Sequence, residues 1–103
     1  MTPEDFRGLK VCLIDERLVE DLAFAGDRVS ATMGTVDGPI RAPILQLTIT
    51  GPASLSIAGQ DVSIRWENLQ MLDDRISTLR NGEPAIYDVV QWPSSSRDQR
   101  RLP

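Results

Sequence analysis

Apolar and polar residues alternate along most of this chain, and the alternation breaks at short, regular intervals. Leu18, Leu22 and Phe24 share one parity, with Val19, Asp21 and Ala23 between them. Beyond Gly26-Asp27, Val29, Ala31 and Met33 alternate with Arg28, Ser30 and Thr32. Leu45, Leu47 and Ile49 alternate with Gln46, Thr48 and Thr50, and Leu55 and Ile57 with Ser54 and Ser56. Val62, Ile64 and Trp66 face away from Asp61, Ser63 and Arg65, the clearest half-buried strand of the set. A period of two over runs this short predicts β-strands with one face on a core.

The breaks carry turn chemistry: Gly26-Asp27, Asp37-Gly38-Pro39, Gly51-Pro52, Gly59-Gln60-Asp61, Asp73-Asp74 and Asn81-Gly82. Asn-Gly accepts positive φ at both central positions, which a two-residue hairpin demands. Strands joined so tightly are antiparallel neighbours, because a parallel crossover needs about a dozen residues or more. The expectation is an all-β fold, an antiparallel meander of seven to eight short strands. Curling the sheet into a small barrel or half-barrel buries the one-sided apolar face and removes the open edges.

Ahead of the strands, Thr2-Pro3-Glu4-Asp5 reads as a helix start, with a hydroxyl cap, Pro in the first turn and acids favoured by the dipole. Gly8 keeps that helix to a turn or two, anchored by Phe6 and Leu9. A longer helix through Leu22 is the rival, since Asp15-Glu16-Arg17 tolerates helix. The last strand has Ala85, Tyr87 and Val89 on one face and Ile86, Val90 and Trp92 on the other. A strand apolar on both sides must be covered twice. The cover is either the N-terminal helix or a second copy of the chain, which makes Ile86, Val90 and Trp92 candidate interface residues.

Composition narrows the classes. The chain has 103 residues and a net charge of −4, which suits one domain. Fourteen acids and eight bases precede Ser94, an acidic body that offers phosphate backbones no cationic cluster, so no nucleic-acid partner is expected. Residues 1–93 form the expected domain, and 94–103, with Arg97, Arg100 and Arg101, a disordered tail. No apolar run approaches the roughly 20 residues of a membrane span. Met1 to Asp5 leads into no apolar leader, so a cytoplasmic location is expected.

Histidine is absent, which removes every histidine-based mechanism and metal site. Cys12 is the lone cysteine and lies in the apolar run Val11-Cys12-Leu13-Ile14, where a thiol acts as a small hydrophobe. The scattered aspartates lack the alternating spacing of a calcium loop, and no glycine-rich phosphate loop is present, so no metal or cofactor is expected. Glu20 shares the inward parity of Leu22 and Phe24. If the segment is a strand, its carboxylate is buried, with a raised pKa suited to acid–base work; if it is helical, Glu20 is solvated. A buried partner such as Arg65 or Arg80 would mark structural pairing instead. Glu20, Phe24, Met33, Trp66 and Tyr87 are the candidate ligand-binding side chains, although aromatics on an apolar face also serve as plain core.

Phe6-x-Gly8 after a short helix, the paired strands around Gly26-Asp27, and the run from Trp66-Glu67 through Arg80-Asn81-Gly82 to Tyr87 together resemble the smaller bacterial lipocalin-like (calycin) barrels. Where that family carries Gly-x-Trp, this chain has Gly8-Leu9-Lys10. The resemblance implies a β-barrel that binds a small apolar molecule, with isomerases or cyclases as its minority chemistry; it transfers no catalytic residue. Three functions follow: a non-catalytic binding barrel, a homodimeric interaction or accessory module, and an isomerase-type enzyme using a buried carboxylate.

Overall fold

In a computed structural model describing residues 1–14, 18–35, 37–38 and 41–92, the alternating runs pair in chain order. The eight strands are β1 (Lys10–Ile14), β2 (Leu18–Ala25), β3 (Arg28–Thr35), β4 (Ile44–Gly51), β5 (Ser54–Ala58), β6 (Ser63–Met71), β7 (Arg75–Arg80) and β8 (Glu83–Gln91). Each is antiparallel to the next, and β8 returns to β1 to close a barrel. The rival helix through Leu22 does not form: Lys10–Ile14 and Leu18–Ala25 are strands in register, with Val11 opposite Leu22 and Leu13 opposite Glu20. Tertiary pairing decides that segment, because a helix there would leave β8 and β3 without their neighbours.

The N-terminal element is a 3-10 turn over Pro3–Phe6. The backbone N–H of Thr2 donates to Asp5 at 2.9 Å, and Phe6 is buried. Gly8 turns the chain into the sheet with φ +86°, a conformation that favours glycine. Its N–H then donates to the Phe24 carbonyl at 2.9 Å.

Inside the barrel four aromatic side chains form a continuous chain. Phe6 and Phe24 lie 5.4 Å apart between ring centroids, Phe24 and Trp66 6.0 Å, and Trp66 and Tyr87 4.7 Å, all tilted. Leu9, Leu22, Val29, Leu55, Ile57, Ile64 and Ile76 pack around them, all buried. An eight-stranded barrel has an interior just wide enough for side chains, and here the aromatic chain fills it from the Phe6 end.

Two irregularities lie toward opposite ends of the barrel. In β6 the register slips between Glu67 and Gln70 at Asn68, whose φ is +54°. The bulge frees the Glu67 carbonyl, which accepts from the buried Thr78 hydroxyl at 2.8 Å. The second is the closing seam. β1 pairs with β8 only at Lys10, Val11 and Cys12, opposite Gln91, Val89 and Asp88. Toward the start of β8 the two strands part. The Val89 N–H donates to the Asp74 carbonyl on the β7 side. Successive strand N–H groups alternate in direction, so those at even positions of β8 face the seam. Pro84, which has no N–H, stands at an even position, where it forfeits no ladder bond.

Candidate functional site

Glu20, on an inward position of β2, has no exposed surface. A carboxylate so placed requires charge and hydrogen-bond partners. Arg80, the last residue of β7, supplies both: Nη2 lies 2.7 Å from Oε2 and Nε 3.2 Å from Oε1. The Tyr87 hydroxyl, from β8, donates to Oε1 as well. The Trp66 indole N–H, 3.4 Å from the Tyr87 oxygen, completes a relay from the aromatic chain to the ion pair. Every fully buried side-chain nitrogen or oxygen among the described residues has a partner.

The network sets its own protonation. Burial, then the charge of Glu20 and the bond to it, push the Tyr87 hydroxyl pKa far above the ordinary tyrosine value. The bidentate bond to Glu20 makes Arg80 still harder to deprotonate. Both carboxylate oxygens are occupied by donors, a pairing rather than a poised acid or base.

Arg80 is the member that reaches outward, with 21% of its side chain exposed. It borders a half-open cleft of about 670 Å³ at the parted end of the β1–β8 seam. Leu13, Leu18, Pro84, Ala85 and Ile86 form the apolar walls, and Ser77, Asn81 and Glu83 the polar margin. The volume lies within the roughly 300–1,000 Å³ of small-molecule sites.

The residues singled out from sequence fall in different layers. Glu20, Trp66 and Tyr87 are brought together behind Arg80, and none of them lines the cleft. Phe24 lies deeper in the aromatic chain, and Met33, opposite Glu20 on β3, is half-buried against the core. Ile86 and Val90 stand 54% and 64% exposed on the outer face of β8, whereas Trp92 packs against the core. The cleft-lining Leu13, Leu18 and Ala85 escaped sequence reasoning as site residues, because nothing local distinguishes them from core.

Cys12, half-buried on β1, stands opposite Asp21 on one side and Asp88 on the other. A hydrogen bond with Asp21, burial and the two negative charges push its thiol up to about 11, which disfavours the thiolate at neutral pH. Among the described residues no group of acidic or cysteine side chains is spaced to hold a metal ion, and no helix is long and apolar enough to cross a membrane. The expected tail, 94–103, lies outside the described residues. Comparison of the chain with protein-family models, curated proteins and solved structures returns no match.

Proposed function

We propose that the chain is a small, non-catalytic binding protein of lipocalin-like type, working in the cytoplasm, that holds a mainly apolar molecule in the cleft at the parted seam. The observation that carries this reading is the pairing of an apolar-walled cleft with one partly exposed, firmly anchored arginine at its edge. A few convergent polar groups in an apolar concavity orient a ligand; most of the surface supplies burial. The occupied oxygens of Glu20 favour binding over the isomerase-type alternative.

Native mass spectrometry after mild purification tests the reading. The wild-type chain is expected to carry one ligand-sized adduct. Ala85→Phe, which fills the cleft, is expected to lose the adduct while keeping its far-ultraviolet circular dichroism. Bare mass from several expression hosts overturns the proposal. A second reading, a homodimer or accessory module, draws on one specific observation, the exposed Ile86 and Val90 on a single outer face of β8.

A further inference from the structure

Resting on the binding reading above, we infer that the cleft selects an uncharged molecule whose apolar body carries one carbonyl-type acceptor, directed at Nη1 of Arg80. Arg80 spends Nε and Nη2 on Glu20, and Nη1 has no acceptor among the described residues. Because no fully buried side-chain nitrogen lacks a partner there, Nη1 has access to solvent, and the side chain borders the cleft. Arg80 thus presents donors whose charge the Glu20 carboxylate already neutralises.

That balance sorts the ligand heads. A carboxylate would be a second anion on one guanidinium, with exposed Glu83 at the margin, and would shed its hydration for little attraction. An ammonium would set a second cation beside the Arg80 guanidinium, with only the exposed, water-screened Glu83 to attract it. A bare alkane strips water from Nη1 and returns no acceptor. A ketone or ester accepts the bond and loses little hydration. The neighbouring Asn81 amide is already largely engaged: its oxygen accepts from the Arg65 N–H at 2.8 Å, and one N–H of its nitrogen donates to the Ser63 carbonyl at 3.3 Å.

The test is a chemical-shift titration of the isotope-labelled full chain, near neutral pH, with 2-undecanone, decanoate, decylammonium and undecane. The Arg80 Nε–H and the Ala85 and Ile86 amides report on the cleft. The ketone is expected to bind about tenfold or more tighter than each of the other three, one hydrogen bond's worth of discrimination. Glu20→Gln removes the counter-charge while keeping an acceptor for Arg80, and it is expected to turn the preference toward decanoate. If Glu20→Gln fails to fold, the double variant Glu20→Met/Arg80→Met is expected to bind ketone and alkane equally.

Equal or tighter binding of decanoate or decylammonium at the cleft of the wild-type chain overturns the ligand class and leaves the binding reading intact. An unchanged preference in Glu20→Gln, or a persisting ketone preference in the double variant, overturns the class in the same way. Shifts confined to other parts of the barrel, or none with any probe, overturn both.

Discussion

Tyr87 has no good place to lose its proton. Its hydroxyl is buried and donates to a carboxylate, so ionisation would set two negative charges against each other away from water. The native pKa is therefore raised above the ordinary 10.0. The folded chain holds this proton more tightly than the unfolded chain, and the resulting stability is complete below pH 10 and is lost as pH climbs toward the native value. The melting temperature is expected to fall from about pH 10 upward, more steeply in the wild-type chain than in Tyr87→Phe, as followed by circular dichroism. Parallel curves for the two chains would refute this. The inward parity of Glu20 was legible in the sequence, but its state was not. Whether a carboxylate on an apolar face is solvated or paired depended on Arg80 and Tyr87, 60 and 67 residues further on.

At the level of strands and turns, Asn81 has two tasks. It occupies φ +52° in the β7–β8 hairpin, ahead of Gly82 at φ +88°, as the Asn-Gly pair predicted. Its side chain and backbone also bond back to Ser63 and Arg65, extending the β6–β7 contact past the end of β7. Asn81→Ala is expected to lower unfolding free energy by about 2 kcal/mol, from lost hydrogen bonds and an alanine strained at positive φ. Asn81→Gly, free of the backbone strain, is expected to lose about 1 kcal/mol. Urea titration checks both, and equal losses would show that the backbone contributes nothing. Sequence periodicity located β2 to β6 because each offers hydrophobic residues at alternate positions. It muted β7, whose inward residues are Ile76, Thr78 and Arg80: one serves the bulge carbonyl and one the ion pair. It also lost the inward face of β6 beyond Trp66, where the bulge at Asn68 hands that role to Leu69.

For the molecule as a whole, a curled meander was legible, as a barrel or a half-barrel, and how far it closes was not. Consecutive hairpins with one greasy face leave few arrangements besides a ring of neighbours, and β1 to β8 form that ring. Where the ring fastens only partway is set by strand stagger, which no single segment encodes. The outer face of β8 sets the expectation for assembly. Sedimentation equilibrium at micromolar concentration is expected to return a mass above the 11.4 kDa of one chain, and Ile86→Ser/Val90→Ser to restore the single-chain mass. A wild-type chain sedimenting as a monomer would remove this reading. Pro84 acquires a further meaning at this scale. An unfastened strand margin invites a stray extended peptide to dock by backbone pairing and seed a growing fibre. By withholding a donor at that spot, a single ring-closed residue removes one of the backbone bonds such a peptide would need and so blunts the open margin.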